Sequence, residues 1–155
     1  MGEGSSRSDR ELLEELRRHR AELRESMGAL EDALASPATA DRARWTQRVE
    51  AALVEVAGDF RAHVDITEGP SGLYVELLAT SPRLAGPVEV LTRDHALIGG
   101  QIDDLLGRVA GPEVTAAVDG VRRSATALLG RIVRHRQRGS DLVFEAYEFD
   151  IGGET

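Results

Sequence analysis

Apolar residues recur at steps of three and four along four long stretches of the chain, the spacing of one buried helical face. No stretch alternates apolar and polar residues as a strand would, so the pattern predicts an all-α protein. The four lines are Leu12, Leu16, His19, Leu23, Met27, Leu30 and Leu34; Trp45, Val49, Leu53, Val56, Phe60 and His63; Val88, Leu91, His95, Ile98, Ile102, Leu105 and Val109; and Val118, Val121, Ala125, Leu128, Ile132 and His135.

Residues that cap or break helices set the expected boundaries of the first two helices. Ser8 or Asp9 is expected to cap the first, and Thr39 or Asp41 the second, because these side chains accept hydrogen bonds from helix N-termini. The second helix is expected to end just after Glu68, where glycine and proline follow. A short apolar turn over residues 73–78 is then expected to pack over the end of the bundle.

The third helix is expected to begin near Pro87 and the fourth near Glu113, with Gly139 weakening or kinking the fourth. Because the connections are short, the predicted architecture is an up-down-up-down four-helix bundle. The predicted divisions are a disordered tail over residues 1–8, the bundle over 9–150 and a tail over 151–155.

The sequence contains four histidines, and each lies on one of the four apolar lines: His19, His63, His95 and His135. In an alternating bundle, a rise of about 1.5 Å per residue places all four rings toward one end of the core. Buried imidazoles each need a partner for an N–H group and a lone pair, and a metal ion would provide one. The pattern therefore predicts a metal site, with separately packed core histidines as the alternative.

Imidazole ligands suit iron, zinc, copper and nickel, whereas calcium and magnesium favour oxygen. The candidate carboxylate ligands are Glu68, Asp141 and Glu145, which follow the second or fourth histidine. None of them is four residues from a histidine, so each would need its helix to bulge at a nearby glycine. Asp65 and Asp94 are nearer in sequence but point away from the histidine face, and we expect them to lie in solvent.

One histidine per helix over about residues 10 to 150 resembles the hemerythrin/HHE cation-binding family. The stretches HVDITEGPSGLY and HRQRGSDLVFEAY also resemble the family's second and fourth helices. The resemblance implies a four-helix bundle whose histidines and two bridging carboxylates hold a di-iron centre. It matches the four histidines to the family's histidine ligands. Glu68 and Asp141 are then the nearest equivalents of the bridging acids, with Glu145 as the alternative on the last helix. The resemblance also implies two non-haem iron ions, with zinc or manganese as alternatives.

The oxygen carrier of this family has a second histidine on its third helix, where this chain has Gly99. A site with fewer nitrogen ligands is more open, so the resemblance implies a protein that binds, senses or detoxifies oxygen, peroxide or nitric oxide. A metal-binding protein is favoured over a dedicated enzyme. The alternative is a metal-free helical interaction or regulatory module with histidines in its core.

Composition narrows the remaining function classes. The absence of cysteine excludes thiolate metal sites, iron–sulfur clusters and cysteine nucleophiles. A net charge of −8 and 4% aromatic residues argue against a nucleic-acid partner. The sequence has neither the apolar core of a signal peptide nor a stretch of membrane-spanning length, so a cytoplasmic location without membrane attachment is expected. The oligomeric state stays open.

Overall fold

The computed structural model describes residues 9–110 and 117–149. These residues contain no β-strand, which confirms the predicted all-α class, and the two predicted tails lie outside them. The helices are α1 (Asp9–Ala35), α2 (Arg42–Glu68), α3 (Leu73–Thr80), α4 (Ala85–Ala110) and α5 (Val118–Phe144), with a 3-10 turn at Pro82–Leu84 and a π-helical turn at Glu145–Phe149.

The four long helices, α1, α2, α4 and α5, form the predicted four-helix bundle. Helix α2 packs against α1 and α4, and α5 packs against α4 and less extensively against α1. Every apolar residue of the four predicted lines is buried, apart from the half-buried Val118. The spacing of apolar residues therefore identified the inner face of each helix. No described helix is both long and apolar enough to cross a membrane.

The ends of α2 follow the predicted capping and breaking residues. The Asp41 side chain accepts a hydrogen bond from the backbone N–H of Arg44 at 3.0 Å, and the helix ends at Glu68. At Gly72 a Cβ atom would lie only 2.7 Å from the carbonyl oxygen of Thr67, so the tight turn requires glycine. This turn directs α3, the predicted short apolar segment, back over the end of the bundle.

The other boundaries differ slightly from the predictions. Helix α4 begins at Ala85, which places Pro87 in the first turn, where the missing N–H removes no helical hydrogen bond. The start predicted near Glu113 lies outside the described residues, and α5 is helical from Val118. The predicted weak point at Gly139 is wrong, since α5 continues through it as a regular α-helix.

Buried apolar residues form two clusters along the bundle axis. The larger cluster includes Trp45 and Phe60 of α2 and fills most of the bundle, and the smaller includes Leu73 and Leu77 of α3 at the other end. On α2, α4 and α5 a buried histidine lies between the residues of the two clusters. These three residues are His63, His95 and His135. The fold thus places a polar layer between two apolar regions.

Candidate metal site

His63 of α2, His95 of α4 and His135 of α5 converge in the polar layer, and we call them the histidine triad. One ring nitrogen of each residue lies within 4.8 Å of the others. The ring centroids are 5.1 Å apart for His63 and His95, 5.4 Å for His63 and His135, and 4.6 Å for His95 and His135. Across residues 9–110 and 117–149, this is the only group of three or more histidine and acidic side chains close enough to share an ion.

Two carboxylates fix the orientation of two of these rings. His95 donates from Nδ1 to Oε2 of Glu68 at 2.7 Å, and His135 donates from Nδ1 to Oδ2 of Asp94 at 3.2 Å. An ionised carboxylate only accepts hydrogen bonds, so each Nδ1 carries the proton and each Nε2 keeps its lone pair. Arg138 also donates to Asp94 at 2.9 Å, which holds that carboxylate in place.

The remaining ring nitrogens lack enough partners. Nε2 of His63 lies 3.3 Å from Nε2 of His135, while Nδ1 of His63 and Nε2 of His95 have no hydrogen-bond partner among the described residues. An unpaired buried polar atom is costly, and two lone pairs repel each other unless a proton or a cation lies between them. Two nitrogens that bind one tetrahedral ion at about 2.0 Å lie roughly 3.3 Å apart. The donor atoms therefore fit a transition-metal cation.

Aromatic side chains enclose the histidine triad. The Phe60 ring lies 5.8 Å from His95, 6.0 Å from His63 and 6.2 Å from His135, measured between centroids. Tyr74 of α3 stacks on His95 with nearly parallel rings, 6.0 Å between centroids. These contacts restrict the rotation of the imidazoles and exclude water from one side of the site.

Burial also keeps the imidazoles in their metal-binding form. Burial, together with repulsion from the neighbouring rings His95 and His135 when they are charged, lowers the pKa of His63 to about 3. Burial lowers the pKa values of His95 and His135 as well, although Glu68 and Asp94 oppose the effect. The three rings are therefore neutral at pH 7, and a metal ion displaces no proton from a charged imidazole.

A small cavity of about 20 Å³, which we call the side cavity, adjoins the triad. A volume of this size holds one water molecule or a similarly small ligand. Its lining residues are Leu16, Arg20, His63, Thr67, Leu73, Tyr74, His135, Arg136, Gly139, Leu142 and Val143.

Residues 12–147 of the chain match the family described as Hemerythrin HHE cation binding domain. The chain belongs to this family. The matched region includes all four histidines and the five α-helices, apart from the first three residues of α1. No curated protein and no solved structure gives a significant match. Membership in the hemerythrin family supports a bound cation, and the histidine triad is the place in the described residues where one fits.

This hemerythrin domain does not bring His19 into the triad. The His19 ring lies at the edge of α1, 3.8 Å from Glu15 and 3.6 Å from Glu22, and its side chain is 20% exposed. It borders a surface cleft together with Asp65 and Ile66 of α2. Its level along the bundle thus agrees with the sequence-based expectation, but it is not part of the group that could share an ion.

Asp141 and Glu145 also lie away from the triad. Both are exposed; Asp141 accepts a hydrogen bond from Gln137 at 3.0 Å, and Glu145 pairs with Arg83 at 3.1 Å. Six residues of α-helix turn the chain by about 600°, so Asp141 points about 120° away from His135 around the helix. Because α5 does not bulge at Gly139, nothing turns this acid inward.

Sequence reasoning did not assign a role to Asp94, which was expected to lie in solvent. The structure corrects this, since its side chain is only 13% exposed and accepts a hydrogen bond from His135. Position 94 precedes the buried His95 and faces the seam between α4 and α5. An acid beside a buried histidine on such a seam is the signal that would have identified it.

The carboxylates beside the triad contact the outer nitrogens of its rings and are not part of the group that could share one ion. A di-iron centre of the kind that the resemblance implies has two carboxylates between its ions. Here the group that lies within reach of a shared ion contains three imidazoles and no carboxylate. Glu68 and Asp94 instead hold the Nδ1 sides of His95 and His135, an arrangement typical of acids that orient metal-binding histidines.

Proposed function

We propose that this hemerythrin domain binds one transition-metal ion through His63, His95 and His135. The observation that carries the proposal is the convergence of three buried, neutral rings, two of which have an unpartnered nitrogen. Glu68 and Asp94 act as positioning residues, because each fixes the proton on the Nδ1 atom of one ligand ring. We propose non-haem iron as the ion, with zinc as the alternative; manganese is less suited to a set of three nitrogens.

We further propose that the domain binds a small oxidant such as oxygen, peroxide or nitric oxide, in order to sense or detoxify it. Three protein ligands leave positions open on the ion, and the side cavity of about 20 Å³ adjoins His63 and His135. Bound iron would supply the electron that such an oxidant accepts. Tyr74 also lines the cavity, and burial raises its pKa, so its hydroxyl stays protonated.

Metal quantification tests this function directly. After anaerobic loading with ferrous iron and desalting, we expect about one iron per chain, and nitric oxide should then produce a new electron paramagnetic resonance signal. Two irons per chain, with near-ultraviolet absorption from oxo-bridged ferric iron, would show that the site holds a pair of ions and not a single ion. If the protein retains no transition metal from a mixture of iron, zinc and manganese, the proposal is wrong.

The positioning role of Asp94 gives a separate prediction. Asp94→Asn is expected to weaken metal binding by about 10- to 100-fold, because the neutral amide no longer favours the Nδ1–H form of His135. A competition titration against a chromophoric chelator measures the affinity. Asp65→Asn is the matched control, since Asp65 is an exposed acid on the neighbouring helix. Equal affinities for the two variants would contradict the role of Asp94.

A further inference from the structure

We propose that Arg20 and Arg136 form a binding site for a small oxyanion at the side cavity. This site goes beyond the proposed function, because two guanidinium groups need no metal ion to bind an anion. Arg20 projects from α1 and Arg136 from α5, and both line the cavity together with His63 and His135. The two arginines therefore lie where a ligand from solvent would approach the histidine triad.

The hydrogen-bonding capacity of these two side chains is incompletely used. Nε of Arg136 is buried and has no hydrogen-bond partner among the described residues. Arg20 donates to the hydroxyl of Ser140 at 2.6 Å, a neutral partner that leaves its charge uncompensated. A buried donor without an acceptor is destabilising, so an acceptor supplied by a ligand would be favoured here.

Like charges gather at this site without an acid nearby. Burial lowers the pKa values of both guanidinium groups, and repulsion from Arg24 adds to this for each of them. No acidic residue lines the side cavity in the part of the chain that the structure describes. Positions one helical turn before and after the two arginines also carry no acid; they are Leu16, Arg17, Leu23 and Arg24 on α1, and Ile132, Val133, Gly139 and Ser140 on α5.

Other arginines of the chain do pair with acids. The chain has 27 acidic and 19 basic residues. Arg138, only two residues from Arg136, pairs with Asp94, while Arg83 and Arg93 pair with glutamates. The cationic side of the cavity therefore contrasts with the acidic protein around it, and a negatively charged ligand would compensate it.

The shape and size of the site define the class of anion. A guanidinium group presents a planar fork of N–H donors that matches the oxygen atoms of an oxyanion. The side cavity of about 20 Å³ excludes bulky anions such as nucleotides or carboxylated metabolites. A small, planar, singly charged oxyanion such as nitrite fits these limits, and at this site it would lie beside the ligand rings His63 and His135.

Nitrite binding to the protein tests the proposal. Isothermal titration of wild type, both metal-loaded and chelator-treated, is expected to show nitrite binding in both forms. Arg20→Gln and Arg136→Gln are each expected to weaken it by about tenfold to a hundredfold, the loss typical of one charge-assisted hydrogen bond. Arg134→Gln, which removes an exposed arginine from the same helix, is expected to leave it unchanged.

The comparison among these variants decides the result. Absence of nitrite binding in the chelator-treated wild type, or equal affinity in wild type, Arg20→Gln and Arg136→Gln, would overturn the proposal. An equal loss of nitrite affinity in Arg134→Gln would also overturn it, because the loss would then reflect the net charge of the protein and not a specific site. Circular dichroism identifies any variant that fails to fold. If one of the two arginine variants does not fold, the nitrite affinity of the other decides the result. Since metal content is measured separately, failure of the anion site is distinguishable from failure of the metal site.

Discussion

His63→Ala is expected to reduce metal binding from about one ion per chain to almost none. Each histidine supplies one of the three nitrogen donors, and the group that could share an ion contains no fourth acid or histidine among the described residues. The loss should exceed the roughly 10- to 100-fold effect of removing a positioning acid. His135→Ala is expected to behave in the same way. Metal analysis after desalting, together with a chelator competition, measures both the stoichiometry and the affinity.

His19→Ala is the control variant for this experiment. Its ring lies between Glu15 and Glu22 at the edge of α1, so we expect this variant to keep the metal content and affinity of wild type. A loss as large as that of His63→Ala would restore the four-histidine site expected from the sequence. Equal retention of metal by all of the variants would show that the ion binds elsewhere.

The sequence was sufficient to predict the four-helix bundle and the burial of three of its four histidines. Steps of three and four residues define one face of a helix, and a long helix with one apolar face must bury it. His63 and His135 continue their apolar lines at a step of three residues and His95 lies within its line, so all three fall on the inner faces. Glycine and proline after Glu68 then define where the chain turns.

His19 shows where spacing alone fails. The apolar line of α1 has Leu16 and Leu23 on either side of this level, and successive residues are about 100° apart around the helix. Positions 19 and 20 therefore lie on opposite sides of the centre of the line. In the structure Arg20 is the one that lines the side cavity, while the half-buried His19 borders a surface cleft. Only the packing of α1 against its two neighbours decides between them.

The carboxylates show a second limit. Sequence distance from a histidine on the same helix favoured Glu68, Asp141 and Glu145 as ligands, yet the acids beside the rings come from other helices. Glu68 of α2 binds His95 of α4, and Asp94 of α4 binds His135 of α5. Such pairs depend on which helices are neighbours and on their relative height. Neither quantity is contained in the spacing along one helix.

Removal of the metal is expected to lower the melting temperature by roughly 5–15 °C. An ion present at 100 to 1,000 times its dissociation constant stabilises the native state by about 2.7–4.1 kcal/mol. For a domain of about 150 residues, each kcal/mol corresponds to roughly 2–4 °C. The effect should be direct, because an ion at the triad would tie together α2, α4 and α5 and satisfy the buried nitrogens of His63 and His95. Thermal melting by circular dichroism, with and without chelator treatment, measures it.

His63→Ala serves as the internal control for the melting experiment, because a variant without bound metal should melt at the same temperature before and after chelation. If chelator treatment also leaves the melting temperature of wild type unchanged, the result would favour the metal-free regulatory module, in which the three rings are only part of a packed core. A chelator effect of the same size in wild type and His63→Ala would instead indicate an ion bound away from the triad. The expected pattern, a large shift in wild type and none in the variant, links stability to these three histidines, since the ion stabilises the fold only through the groups that bind it.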